Sequence, residues 1–111
     1  MLNQVVIVGR LTSDLEIRET ENGKKIVSLT LAVSRSYKNV DGEYDTDFID
    51  VVLWDTIAEN TAEYCLKGDM VGVKGRLQTS TYETEDGSKR KVTEVVAERV
   101  TFLQNKSNDE H

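Results

Sequence analysis

The chain has 111 residues, of which 38% are hydrophobic and 31% charged, and its formal net charge is −6. This length suits one domain, and the composition is typical of a folded protein rather than a disordered chain. The absence of proline excludes proline-rich linkers, and the single cysteine excludes an internal disulfide and a cysteine-based zinc cluster. No apolar run reaches the roughly 20 residues of a membrane span, and residues 5–8 are too few for the core of a signal peptide. We therefore expect a cytoplasmic protein with no membrane partner.

Most of the chain is predicted to form β-strands, because β-branched and alternating segments dominate it. Five strands are predicted, over residues 4–11, 25–35, 46–54, 69–83 and 89–103. Residues 14–18 alternate in the same way and are predicted to continue the first strand after a bend. Gly23 and Gly87 lie in short polar segments that favour hairpin turns. A longer polar loop is predicted over residues 36–45.

The hydrophobic period changes between the third and fourth predicted strands. Apolar side chains in residues 56–67 fall at helical spacing, and Cys65 is expected there as a small buried residue. Thr56 with Glu59 predicts a capping box at the start of this helix, and Gly68 predicts its stop. One helix between the third and fourth of five antiparallel strands is the layout of the oligonucleotide-binding (OB) fold. We therefore predict an all-β, five-stranded OB-fold barrel over residues 1–104 with one α-helix, followed by a short disordered polar tail at residues 105–111.

Alternation along the third and fourth strands predicts which rings reach solvent. The aliphatic inner face of the third strand is formed by Ile49, Val51 and Leu53. Its outer, wetted face is formed by Phe48, Asp50, Val52 and Trp54. On the fourth strand, Tyr82 lies on the same face as Lys74 and Arg76. Single-strand binding requires rings beside cations. Bases of any sequence can stack on the rings, and the cations contact phosphates.

The net charge counts against a simple electrostatic clamp on nucleic acid, where a basic domain is expected. Many of the acidic residues lie on the predicted helix, in a loop or in the tail. The basic residues lie mainly on strands and adjoining loops, and we rate Lys89-Arg90-Lys91 equally as a solvated strand end and as a contact. A locally basic surface on an acidic protein is compatible with this distribution.

Catalysis is easier to argue against than for. The only histidine is His111, the last residue, so no Ser-His or Cys-His pair is expected. The phosphate-binding and dinucleotide-binding glycine motifs are absent from the sequence. We predict no enzyme, no cofactor and no metal site. A small magnesium-dependent nuclease using Asp45, Asp47 and Asp50 stays open as an alternative.

Six segments match one known family in order and spacing. They are residues 2–11, residues 30–33, residues 47–54, the helix positions Ala58-Glu59, Tyr64 and Lys67-Gly68, residues 75–79 and residues 93–95. Together they resemble the bacterial single-stranded DNA-binding proteins over about residues 1–104. Each segment alone is a weak signal, whereas their combination is specific.

The resemblance implies a site for single-stranded DNA that is bound without regard to sequence. Family base-stacking positions fall on Tyr37, Phe48, Trp54 and Tyr82. Basic positions of the family's binding path fall on Arg10, Arg35, Lys74 and Arg76. The implied role is protection of single strands in DNA replication, recombination or repair, at the nucleoid.

The resemblance also implies a homotetramer, or a dimer, as the assembly. Residues 5–8 are apolar on both faces of the first strand, so one face is expected in the core and the other at a subunit contact. Longer family members end in an acidic tip that recruits repair and replication proteins. Either the natural protein is a short form without that tip or the tip has been removed, and such recruitment is therefore not part of the prediction. A primosome-like OB-fold interaction module with weak nucleic-acid affinity, and an RNA-binding barrel, stay open as alternatives.

Overall fold

The computed structural model describes residues 2–104. Within them, six strands and one helix are connected by turns and loops. In chain order they are β1 Val5–Leu11, β2 Arg18–Glu19, β3 Lys25–Lys38, β4 Tyr44–Trp54, α1 Asp55–Tyr64, β5 Met70–Glu83 and β6 Lys89–Gln104. The five long strands follow the five predicted ones. The predicted continuation at residues 14–18 is wrong for most of its length, because only the two-residue β2 pairs with β3. The tail predicted at residues 105–111 lies outside the described residues.

The five long strands close into a barrel. β1 pairs antiparallel with both β3 and β5, β5 with β6, and β3 with β4. The ring closes where β4 pairs with β6 in parallel, at Val51↔Val95 and Val52↔Val96. This confirms the five-stranded OB-fold barrel with one helix between its third and fourth strands. The expectation of five antiparallel strands is wrong, because strand directions cannot alternate around a closed ring with an odd number of strands.

The barrel core is built from the inner faces that alternation predicted. Its most buried large side chains are Val27, Leu31, Val51, Leu53, Val71, Val73 and Val95. Ile49, predicted on the same inner face, is partly buried against this cluster. Gly75 allows β5 and β6 to approach closely, since a Cβ atom there would lie 2.1 Å from the backbone oxygen of Val96. A register shift between Lys74 and Gly75 bends the β5–β6 pair at the same point.

Helix α1 starts directly at the end of β4 and covers the barrel with Ala58 and Thr61 buried. The predicted capping box is wrong, because Asp55 with a φ of 51° begins the helix one residue early and no side chain caps it. The helix also ends earlier than predicted. Cys65 is buried as expected but follows the helix, and its N–H donates to the carbonyl of Thr61. Gly68 has the positive φ of a stop, but in the turn after the helix, where its N–H donates to the carbonyl of Leu11.

No helix within residues 2–104 is long and apolar enough to cross a membrane.

Burial, and then the charge of Asp69, raise the pKa of the Cys65 thiol to about 11. This thiol is therefore kept protonated and acts as a packing residue.

Two hairpins extend beyond the barrel and position most of the candidate site. The β3–β4 arm, residues 34–48, runs to the pair Lys38↔Tyr44. Its turn is closed by Asn39, whose side-chain oxygen accepts from the N–H groups of Asp41 and Glu43. The loop predicted at residues 36–45 is therefore shorter than expected, because residues 36–38 belong to β3 and residues 44–45 to β4. The β5–β6 arm, residues 76–94, ends in a tight turn in which the N–H of Thr84 donates to the carbonyl of Ser88.

Candidate nucleic-acid interface

The predicted rings lie on the outside of the barrel and on the two arms. Tyr37 and Phe48 are about two-thirds exposed, and Tyr82 is 54% exposed. Trp54 is half-buried at the end of β4 rather than fully on a wetted face. Val52, predicted on the same outer face, is only 3% exposed, because it lies mid-sheet between Ser28 and Val96 on the neighbouring strands. On β4, Phe48 therefore lies near the middle of the strand and Trp54 at its end, six residues apart.

Phe48 shares a row of outward side chains with Arg10. Arg10 on β1 pairs with Ala32 on β3, and Ala32 pairs with Phe48 on β4. Paired residues point to the same face with Cβ atoms roughly 5 Å apart, so the Cβ atoms of Arg10 and Phe48 lie about 10 Å apart. Arg10 is exposed and donates from Nη1 to the carbonyl of Gly68 at 2.9 Å. The small Ala32 leaves this surface open as a shallow hollow of about 270 Å³ beside Arg10 and Met70.

A third exposed ring on the β3–β4 arm, Tyr44, lies outside the predicted set of site residues. Tyr44 is exposed, and Lys38 Nζ lies 5.8 Å from the centroid of its ring, a cation–π distance. Tyr44 lies on the same face of β4 as Phe48, with Thr46 between them. Extending the alternation of β4 backwards could have found it. The polar residues around Tyr44 indicated a loop instead.

The predicted phosphate contact Arg35 is engaged by carboxylates. Its Nη2 and Nε donate to Asp47 at 2.9 and 3.1 Å, and its Nη1 lies 3.7 Å from Asp45 Oδ2. The hydrogen bond from Arg35 lowers the pKa of the Asp47 carboxyl, and the same bond raises the pKa of the Arg35 guanidinium. Tyr37 is near enough to contribute to the shift in the pKa of Arg35.

The three carboxylates of the nuclease alternative do not converge. Asp45 and Asp47 face Arg35, whereas Asp50 lies on the other face of β4 and accepts a hydrogen bond from Thr30 at 2.9 Å. No group of three or more His, Cys, Asp or Glu side chains able to hold a metal ion occurs within residues 2–104.

On the β5–β6 arm, Tyr82 pairs directly with Arg90 of β6. The ring and this cation therefore point to the same face, with Cβ atoms roughly 5 Å apart. Arg90 is a functional candidate that the sequence analysis left undecided, because the cross-strand register was not available to it. Arg76 lies at the base of the arm and donates to Gln78 at 2.9 Å.

Lys74 lies apart from Tyr82. Eight residues of β5 separate them, or roughly 26 Å of strand. The neighbours of Lys74 across the sheet are Val6 of β1 and Arg99 of β6. The prediction that Tyr82 is in line with Lys74 holds along the strand, but the two side chains belong to different parts of the surface.

Trp54 borders a hollow of about 430 Å³ that also contains Lys24 and the turn residues Thr20 and Asn22. Asp55 also lines this hollow, and its Oδ1 accepts from the N–H of Lys25 at 3.3 Å. A ring beside a lysine is thus present here as well. Lys24 carries no sequence signal of its own, because it lies in a turn predicted only from its Asn-Gly dipeptide.

The outer face of β1 is apolar and uncovered in one chain. Val6 is 68% and Val8 47% exposed, so the second face of the first strand is not buried within the barrel itself. Gly72 lies between Val8 and Leu103, and a Cβ atom at Gly72 would lie 3.8 and 3.5 Å from their side chains. This surface, Val6, Val8, Gly72 and Leu103, is called the β1 patch below.

Comparison with known proteins places the chain in one family. The model of the single-strand binding protein family matches residues 2–103. The chain is 50% identical over 109 residues to single-stranded DNA-binding protein B of Bacillus subtilis, with 98% of this chain and 96% of that protein covered. It is 51% identical to single-stranded DNA-binding protein 3 of Listeria innocua, over 97% of this chain and 68% of that protein. It is 46% identical to single-stranded DNA-binding protein 1 of Staphylococcus aureus, over 100% of this chain and 71% of that protein. These matches confirm the resemblance drawn from the sequence, and the chain belongs to the single-strand binding protein family.

Proposed function

We propose that this chain binds single-stranded DNA without reading its sequence and carries out no covalent chemistry. Bases would stack on Tyr37, Phe48, Trp54 and Tyr82. Phosphates would meet Arg10, Arg35, Lys74 and Arg76. The observation that carries the proposal is the exposed row from Arg10 to Phe48, on a barrel whose relatives are named as single-stranded DNA-binding proteins.

Stacking is expected to supply most of the affinity. Each stacked base contributes about 1–3 kcal/mol, and a ring offers the same flat surface to any base. The overall charge of −6 opposes approach of a polyanion, so phosphate contacts are limited to local cations. Because each neutralised phosphate of a single strand adds about −0.7 to the log–log salt slope, a shallow slope is expected.

The proposed setting is DNA replication, recombination or repair in the cytoplasm, at the nucleoid. The names of the relatives support the single-strand binding in this proposal, and the cellular process is proposed beyond them. Copies are proposed to assemble as a homotetramer, or a dimer, through the β1 patch. Exposure of Val6 and Val8 supports this, because adjacent apolar side chains on the surface of a small domain favour a partner.

Fluorescence tests the function directly, because Trp54 is the only tryptophan. Titration with an oligo-thymidine strand at low salt is expected to quench its emission, since a stacked base changes the surroundings of the indole. Solution mass measured with and without the strand reports assembly in the same samples. Unchanged emission together with an unchanged mass, from protein that is folded by circular dichroism, would contradict the proposal.

The primosome-like interaction module and the RNA-binding barrel are separated from this proposal by competition. A labelled DNA strand bound by the protein is challenged with unlabelled DNA and RNA of matched sequence. Stronger competition by RNA would favour the RNA-binding barrel. If neither strand binds when each is labelled and titrated directly, the interaction module is favoured.

A further inference from the structure

Arg35 is the proposed phosphate contact with the most crowded surroundings. Asp47 occupies two of its donors in a forked pair, and Asp45 lies 3.7 Å from Nη1. The fork of a guanidinium fits a carboxylate and a phosphate in the same way. Asp47 therefore holds the position on Arg35 that a DNA phosphate would take.

Charge makes the two ligands of Arg35 mutually exclusive. Arg35, Asp45 and Asp47 together carry one positive and two negative charges at neutral pH, so the cluster repels a phosphate as long as it stays closed. The rest of the β3–β4 arm adds to this, because residues 34–48 contain four acidic and only two basic side chains. A phosphate can gain from Arg35 only if the guanidinium leaves Asp47.

Exchange is physically accessible at this place. The side chains of Arg35, Asp45 and Asp47 are 42–48% exposed, so an open pair leaves each charge in contact with water. Ion pairs at such exposure contribute little free energy, because water and salt screen them. A phosphate on a strand already held by Phe48 and Tyr37 acts at high local concentration and can displace Asp47.

We propose that Asp47, assisted by Asp45, competes with DNA phosphate for Arg35 and thereby lowers the affinity and the salt dependence of single-strand binding. The inference rests on the proposed function and assigns a tuning role to two carboxylates of the binding arm. On binding, Arg35 passes from Asp47 to phosphate. Because salt screens the exposed Arg35–Asp47 pair as well as the contact with phosphate, this exchange adds less to the salt slope than an unpaired cation would.

The test measures binding of a fluorescent oligo-thymidine strand by anisotropy at several salt concentrations. D47N is expected to bind about 3–10-fold more tightly at low salt, with a log–log slope steeper by up to about 0.7, the value for one further phosphate. D45N is expected to change affinity in the same direction by less, because Asp45 lies farther from the guanidinium.

E43Q is the matched control, since it removes one acidic charge from the same arm without touching Arg35. R35Q and the double variant R35Q/D47N complete the comparison. In the R35Q background, D47N is expected to have no more effect than E43Q, because no cation is left to release. Thermal unfolding of each variant shows that the barrel is intact.

The outcomes separate this inference from the proposed function. If the natural protein fails to bind the strand, the proposed function is wrong and the inference falls with it. If the natural protein binds but D47N binds no more tightly than E43Q, or binds more weakly, Asp47 only positions the arm and the competition is refuted. An effect of D47N that persists without Arg35 also refutes it, because it then reflects general charge.

Discussion

The two hairpin arms have similar backbones and different chemistry. The β3–β4 arm carries three exposed rings, Tyr37, Tyr44 and Phe48, and four acidic against two basic side chains. The β5–β6 arm carries one exposed ring, Tyr82, and equal numbers of acidic and basic side chains. Its cations at residues 89–91 are adjacent on β6, and within the described part of the chain none of them forms an ion pair.

This difference suggests how a protein of net negative charge can bind a polyanion such as DNA. Stacking does not depend on net charge, so an acidic arm can hold bases. Under the proposed function, the cations at residues 89–91, which form no ion pair within the described residues, are expected to add phosphate contacts to those of the predicted cations. The comparison predicts that the β3–β4 arm contributes mainly salt-insensitive affinity and the β5–β6 arm mainly salt-sensitive affinity.

Removing rings from the β3–β4 arm is expected to have the largest effect on affinity. The double variant Y37A/F48A is expected to lose about 100-fold in affinity for oligo-thymidine, from roughly 1.4 kcal/mol per stacked base. Its salt slope is expected to stay close to that of the natural protein, because no charge changes. Anisotropy titrations at two salt concentrations measure both quantities.

Y64A is the control for that experiment. Tyr64 is exposed to a similar degree but lies on α1 against Phe102, with ring centroids 6.1 Å apart, away from the proposed path. Its removal is expected to leave the affinity unchanged. A loss in Y64A as large as that in Y37A/F48A would show that ring exposure alone does not identify the site.

Neutralising the cations of the β5–β6 arm is expected to lower the affinity less than ring removal does, and to change the salt slope, which ring removal leaves unchanged. In K89Q/R90Q/K91Q, the affinity at low salt should fall about 10-fold, and the log–log slope should become shallower by up to about 2, at 0.7 per lost phosphate contact. At high salt the variant and the natural protein should converge. A slope that does not change would mean that these three cations are only a solvated strand end.

Sequence reasoning predicted the barrel well and the arms poorly, for one physical reason. Alternation is strong where one face of a strand is buried, as for Val27, Leu29 and Leu31 on β3. Beyond the barrel both faces are wet, so residues 36–45 show no hydrophobic period and predict a loop. The same absence keeps Tyr44 out of the predicted site, although Phe48 on the same face of β4 is in it.

The pairings of charged residues could not be predicted for a related reason. Arg35 meets Asp47 only because of the hairpin register, which shifts between Ser34 and Lys38. Arg90 meets Tyr82 through the register of β5 and β6. Local motifs fail in the same way at the helix start, where the chain turns directly out of β4 at Asp55 and leaves the capping box unused.

The smallest expected difference between the arms lies in the pKa of one carboxyl group on each. Each arm has one carboxyl whose pKa lies below its usual value of 3.8. In the β3–β4 arm the cause is Arg35, through a hydrogen bond and then charge. In the β5–β6 turn the causes are hydrogen bonds to Asp86, first from the hydroxyl of Thr84 and then from the N–H of Ser88.

A lowered pKa in the folded state means that each carboxylate stabilises its arm above about pH 4, and that this stabilisation is lost as the pH falls further. The two should differ in salt, because charge is screened whereas neutral donors to Asp86 are not. Carboxyl carbon NMR titrations at 0.05 and 1 M salt are expected to show the pKa of Asp47 rising toward 3.8 more than that of Asp86. D47N and D86N assign the signals. Equal movement of the two pKa values would mean that the charge of Arg35 contributes little at Asp47, and the electrostatic contrast between the arms would then rest on residues 89–91 alone.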